Sequence, residues 1–441
     1  MRNILDFGAV GDGVTVNTKA IQAAIDAGGA VYIPRGVFVT GTLHLKSGGG
    51  LYLEEGAVLR AGHDRADYNA ADYCPQNQIF QSENMAGTHL ISAVEQNDVF
   101  VAGFGEIDGD ASYWVNESCV QQTTGFFGHP PKEKERPAQM LFFAECKNVR
   151  VQDVRLVRSP FWHLFFHGCE DVQVRGLFIK GENRQWVNDG IDIDCCKRVT
   201  VSDCIIDTGD DAITLRANGK PLLHSDGICE DVTVSNCVLK SYLDYGIRVG
   251  VGEGVIRNCI FSGLIIRDSL RGIGIINRFL DNSKGVSVEN LRFQNISIAA
   301  HTAFDIKMCN QDGFLPSEEL THTKHVFFDG ISAYCDRGSL LVGKENATLS
   351  HICFRNVDMH FSGEDPHGDR ASCNWRGGIG HSDAAFYMRG VCDVRLDGVR
   401  MFFDKDAAFT HDLLTEECEA PMLTNCDLQI EESRGDEGIV N

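Results

Sequence analysis

One motif recurs along this chain at intervals of roughly 20 to 35 residues, the length range of solenoid repeats. A polar residue is followed by Val-x-Val, then a short polar turn and another apolar pair. It stands at Asn148-Val149-Arg150-Val151, Asp171-Val172-Gln173-Val174, Arg198-Val199-Thr200-Val201 and Asp231-Val232-Thr233-Val234, with further copies near Gly254, Gly285, His325, His351 and Asp393. The strands so marked are short and β-branched, helical periodicity is nearly missing, and Asn-Gly hairpin signals are scarce. An antiparallel sandwich would show turn signals every 8–12 residues or so. Three short strands per repeat, each stacking on the next copy, make a coil. The sequence therefore predicts an all-β fold, a single-domain right-handed parallel β-helix over residues 1–441.

Residues 1–62 are read as the N-terminal cap and first coils. Asn17 opens a short helix, with Ala20, Ile21, Ala24 and Ile25 on one side and Gly28-Gly29 ending it, placed to cover the open end of the stack. Val31-Tyr32-Ile33, Val37-Phe38-Val39 and Leu51-Tyr52-Leu53 read as strands. Residues 63–90 and 115–137 are irregular and polar, long loops of the kind that carry specificity on a regular scaffold. Coils fill 138–400, and 401–441 form the C-terminal cap and tail.

The net charge of −22 opposes nucleic acid and anionic membranes as partners, and obliges a polyanionic substrate to find local cations. No run approaches the 18 or so apolar residues of a membrane helix. The opening Met1-Arg2-Asn3-Ile4-Leu5-Asp6-Phe7-Gly8 lacks the apolar segment of a signal peptide, so a cytoplasmic location is expected. The 17 cysteines show no metal-ligand spacing and no C-x-x-C pair, which predicts free buried thiols rather than a disulfide framework. Gly8, Gly11 and Gly13 match no phosphate-loop spacing. Nothing in the sequence sets an oligomeric state.

Two related segments carry the candidate chemistry. Asn188-Asp189-Gly190-Ile191-Asp192-Ile193-Asp194 and Asp207-Thr208-Gly209-Asp210-Asp211-Ala212-Ile213-Thr214-Leu215 align when Gly190-Ile191-Asp192-Ile193 is laid over Ala212-Ile213-Thr214-Leu215. Asp189 then falls on Asp211. On adjacent coils, about 4.8 Å apart, these two and Asp210 make a carboxylate trio suited to acid and base work on a glycosidic bond. The plain alternative is a pair of acidic turns. Extended along the repeat, one column runs Trp162, Asp189, Asp211, Tyr245 and Arg271, and a second, mid-strand, runs Asp192, Thr214, Arg248 and Gly274. Isoleucines alternate with the second column toward the core. Strict alternation would turn Asp189 and Asp211 inward, which is costly for an unpaired charge. The site is therefore expected at the strand entries, ahead of the regular pleat.

Around these columns the sequence resembles glycoside hydrolase family 28, the polygalacturonase family of right-handed β-helices. Asp189-Gly190 matches the family's Asn-x-Asp-Gly segment, with Val187 where Asn is usual, and Gly209-Asp210-Asp211 matches its Gly-Asp-Asp fully. Further matches follow in order along most of the chain. They include Asp6-Phe7-Gly8-Ala9-Val10-Gly11-Asp12-Gly13, Gly105-Glu106-Ile107-Asp108-Gly109, Arg136-Pro137 and Ser159-Pro160-Phe161-Trp162. The resemblance implies an inverting hydrolysis that needs no metal or organic cofactor. Asp210 would be the general acid, and Asp189 and Asp211 the bases that position and deprotonate water.

Two departures from the family pattern stand out. Asp244-Tyr245-Gly246 replaces Gly-His-Gly, and Gly274-Ile275-Ile276 replaces Arg-Ile-Lys, whose cations meet the galacturonate carboxylate in the family. Either Arg248, Arg271 or Arg278 supplies that charge from a neighbouring position, or the sugar bound there is neutral or modified. Tyr245 is expected to touch substrate. Trp162 could stack on a sugar face or fill the coil, and His163 could contact substrate or simply pack. The long loops, able to close one end of a cleft, and the cytoplasmic location point to exo action on pectin-derived oligosaccharides. Two alternatives stay open. One is a β-helix polysaccharide lyase, which would want Ca²⁺ or a basic proton abstractor, and the other is a non-catalytic carbohydrate-binding β-helix.

Overall fold

The structure is a computed structural model that describes residues 1–77, 87–114, 137–183, 187–277, 284–308, 321–343, 347–363, 384–407, 409–428 and 430–432. The chain gathers into two compact units, Met1–Asp210 with Gly219–Gly227, and Asp211–Asn218 with Ile228–Asn441. Both are parallel β-helices, as the repeat predicts.

In the first unit, each coil contributes three short strands, and each strand pairs in parallel with its counterpart one coil on. Val149, Val172 and Val199 stack in one ladder, and Val151, Val174 and Val201 in the next. Leu156, Ile179 and Ile206 form a third, on another side of the coil. Along Lys197–Ser202 buried and exposed residues alternate, so one face packs the interior and the other meets water. The polar residue that leads each Val-x-Val has a structural reason. Asn148, Asp171, Arg198, Asp231, His325, His351 and Asp393 all have φ between 47 and 58°. Asn and Asp tolerate this left-handed region best.

The strands that carry the candidate site residues form a separate ladder within each unit. In the first unit these are β1 (Ile91–Val94), β2 (Leu141–Ala144), β3 (Leu164–His167) and β4 (Ile191–Asp194). Register sets Phe165 against Asp192 and His167 against Asp194. In the second unit they are β5 (Ile213–Ala217), β6 (Tyr245–Gly252), β7 (Val255–Ile276) and β8 (Ser287–Lys307). Here Thr214, Arg248, Gly274 and Asp305 fall in line, beside an inner ladder of Ile213, Ile247, Ile273 and Phe304. Unlike the alternating Val-x-Val strands, β2 to β6 are buried at every position. Their polar, outward side chains are thus withdrawn from bulk water, where electrostatic contacts are strong.

The core of the second unit is a pile of rings. Phe261, Phe293, Phe328 and Phe354 stack with centroids 4.7, 5.0 and 4.5 Å apart. The N-terminal helix α1 runs Thr18–Asp26 with Ile21, Ala24 and Ile25 buried, where the sequence places it. Residues 63–77 and 87–90 carry two short 3-10 turns, Arg65–Asp67 and residues 75–77, and no strand. Nearly all of the 115–137 segment lies outside the described residues, as does the chain beyond residue 432. All described cysteines are free thiols and most are buried, which agrees with the expectation from their spacing. Among the described residues no helix is long and apolar enough to cross a membrane.

Candidate active site

In the first unit the site begins just ahead of β4. Asp189 stands two residues before the strand and is buried, as is Asp210 at the end of the unit. Asn188 joins their segments. Its Oδ1 accepts the Gly209 N–H at 2.8 Å and the Asp210 N–H at 3.0 Å, and its Nδ2 donates to the Glu182 carbonyl at 2.9 Å. The neighbouring Val187 donates its N–H to Asp210 Oδ2 at 2.7 Å. Val187 has φ +63°, a steric outlier for a β-branched residue. Strain of this kind gathers at functional sites, and here it aims a donor at a carboxylate.

His163 is fully buried and hydrogen-bonded at both ring nitrogens. Nδ1 lies 2.9 Å from the Asp189 carbonyl, and Nε2 lies 3.4 Å from the Ser159 N–H. A carbonyl on one side and an N–H on the other select the neutral Nδ1–H tautomer. Burial pushes the imidazole down from 6.5 to about 4, against the opposing pull of backbone carbonyls. The unfolded chain therefore takes up this proton near pH 6.5, whereas the folded one holds out to about pH 4. Stability is full above the unfolded value and falls as pH drops through that window, by about 1.4 kcal/mol per pH unit for this group. A His163→Gln variant is expected to lose that part of the acid dependence of its urea midpoint between pH 6.5 and 4.5 or so. A slope equal to the parent's would contradict the assignment. Trp162 is buried among Phe161, Phe165 and Phe142, with ring centroids 5.0 and 5.4 Å from the first two.

In the second unit, Asp211 stands two residues ahead of β5. Its Oδ1 accepts the Tyr245 N–H at 3.1 Å, and Arg248 Nη1 lies 3.0 Å from its Oδ2. Burial, the largest influence on Arg248, favours the neutral form, but the Asp211 and Asp244 carboxylates outweigh it and raise the guanidinium above its ordinary range. Tyr245 is completely buried and donates its hydroxyl to Asp305 Oδ2 at 2.7 Å. Arg271 reaches Asp244 Oδ1 at 3.2 Å and Asp305 Oδ2 at 3.4 Å, and Lys307 Nζ lies 3.1 Å from Asp305 Oδ1.

The family model for Glycosyl hydrolases family 28 matches residues 33–327. The chain belongs to this family. A probable polygalacturonase of Vitis vinifera is 28% identical over 226 residues, 49% of this chain and 44% of that protein. An exo-poly-alpha-D-galacturonosidase of Dickeya chrysanthemi is 29% identical over 257 residues, 49% of this chain and 42% of its own length. The chain thus spans about half the length of these curated relatives. The solved family 28 exopolygalacturonase of Yersinia enterocolitica superposes with a TM-score of 0.67 at 18% identity, covering 99% of this chain and 78% of that one. At that identity the likeness shows the fold alone.

As a family 28 chain, this protein carries both sequence departures in the second unit, and they meet there. Tyr245 packs its ring over Gly274, where an added Cβ would lie 2.3 Å from two ring carbons. Glycine is thus required at 274 for as long as the tyrosine keeps this position. Of the three candidate arginines, Arg248 and Arg271 join the network, and Arg278 lies outside the described residues. Sequence reasoning missed Asn188, Asp244, Asp305 and Lys307 as participants. A signal existed for the last two. In Ala303-Phe304-Asp305-Ile306-Lys307, Phe304 and Ile306 repeat the spacing of Ile273 and Ile275 one coil on, in the register that the strands adopt, which sets Asp305 against Gly274 and Lys307 against Ile276.

Proposed function

We propose that this chain is an inverting glycoside hydrolase that acts from the end of pectin-derived oligosaccharides in the cytoplasm. Asp210 gives its proton to the departing glycosidic oxygen as the bond to the anomeric carbon breaks. Asp189 and Asp211 hold a water on the opposite face of the sugar and take its proton as its oxygen attacks. Two bonds exchange at the anomeric carbon in one displacement, so its configuration inverts. Family membership carries the hydrolase reading. The burial of all three carboxylates supports their roles, since a charge or hydrogen bond acts most strongly where water is scarce. Exo action is supported by the name of the Dickeya chrysanthemi relative.

The deciding experiment is reducing-sugar release from a panel of pectic and neutral oligosaccharides, with product anomers followed by proton NMR. Single residues released from one chain end with inverted anomeric configuration are the expected result. Products that absorb in the ultraviolet through a new double bond would instead identify a lyase. Tight binding with no release from any member would leave a carbohydrate-binding protein.

A further inference from the structure

The buried cations of β6, β7 and β8 in the second unit are each already committed to a carboxylate. Arg248 is held on Asp211, Arg271 on Asp244 and Asp305, and Lys307 on Asp305, at 3.0 to 3.4 Å. All six side chains are at most 7% exposed. Tyr245 ties the set together. Its ring fills the space over Gly274 and lies 5.3 Å from the Arg271 guanidinium and 5.9 Å from that of Arg248. Its hydroxyl fixes Asp305. Burial is the largest influence on Asp305 and favours its neutral form, but Lys307 and Arg271 outweigh it and hold the carboxyl below its ordinary 3.8, so Asp305 is charged at neutral pH.

A sugar acid needs a cation that it can claim. To claim one here it would displace a resident carboxylate and leave that carboxylate buried without compensation, which is strongly unfavourable. A hydroxyl or an ester asks for no such exchange. We infer that this wall accepts an uncharged glycosyl unit, and that Tyr245 and Asp305 are the positioning residues that set the preference against a uronate. The inference rests on the hydrolase reading, and the test is built to separate the two.

Three trisaccharides of one linkage serve as probes: α-1,4-linked galacturonic acid, its methyl ester and its carboxyl-reduced counterpart. The parent is expected to show kcat/KM at least about tenfold higher on the two uncharged forms than on the acid. Asp305→Asn releases Arg271 and Lys307 from their shared carboxylate. It is expected to move the acid-to-uncharged ratio about tenfold toward the acid, with the uncharged probes changed far less. Tyr245→Phe keeps the ring over Gly274 and removes only the hydroxyl. It should move the same ratio the same way by a smaller factor, and it carries the test if Asp305→Asn does not fold. A parent without preference for the uncharged forms overturns the inference, as do variants that leave the ratio unchanged. If the parent hydrolyses none of the three, the hydrolase reading fails by itself, and the same ratio is then read from equilibrium binding. Binding of none of the probes overturns both.

Discussion

Asp210→Asn is expected to lower kcat by roughly 10²- to 10⁴-fold, the usual contribution of a positioned general acid. The replacement is nearly isosteric, and the contacts around it survive it. The Asp210 N–H remains on Asn188 Oδ1, and the Val187 N–H, now 2.7 Å from Asp210 Oδ2, can donate equally to an amide oxygen. KM and the urea midpoint should therefore stay close to the parent's. What the variant lacks is a proton to give. An oligosaccharide with a poor, sugar leaving group should show the full loss, and a 4-nitrophenyl glycoside, whose phenolate leaves without protonation, should show much less. Equal losses on both substrates would assign Asp210 some other task.

The largest effect on stability is expected at Arg248. Its guanidinium and the Asp211 carboxylate are 5 and 2% exposed and lie 3.0 Å apart, so neither is screened by solvent. Replacing Arg248 by methionine keeps much of the side-chain volume and removes the charge, stranding a carboxylate in a buried setting. Breaking a buried pair from one side costs about 3–5 kcal/mol. The double variant Arg248→Met/Asp211→Asn removes the stranded charge and should recover most of that loss, because the cost lies in the unpaired ion rather than in the missing contact. Urea unfolding of the parent, both single variants and the double variant gives the coupling directly. Additive losses would mean that the two side chains are independent, and the close contact would then have no energetic weight.

The repeat was legible because a coil has few solutions. A buried strand face must recur at the coil length, and a turn that needs left-handed φ leaves a polar residue, most often Asn or Asp, ahead of the repeated apolar pair. The same register exposed the candidate acids, since Asp189 and Asp211 both precede a strand by two residues. Where the reading stopped short, the missing information was three-dimensional. Asn188 was visible next to Asp189, but its hold on Gly209 and Asp210 depends on how the loops around it close. The mid-strand column legible in the sequence ends at Gly274, and Asp305 and Lys307 stand one coil beyond it. Trp162 and His163 could be read as sugar contacts or as interior residues, and both prove to be buried.

The sequence by itself determined the β-helix, the order of its coils, the free thiols and the pair of Asp-bearing segments, because each follows from local periodicity and backbone preference. Only the tertiary structure decided that Tyr245 and Gly274 are a single coupled substitution. A glycine in a strand is silent in sequence, and its meaning comes from the ring that occupies its missing side chain's place. The pairing of Arg248, Arg271 and Lys307 was also decided there. Charge balance in a buried cluster depends on distances of 3 Å or so between residues from different coils, and no linear pattern records them.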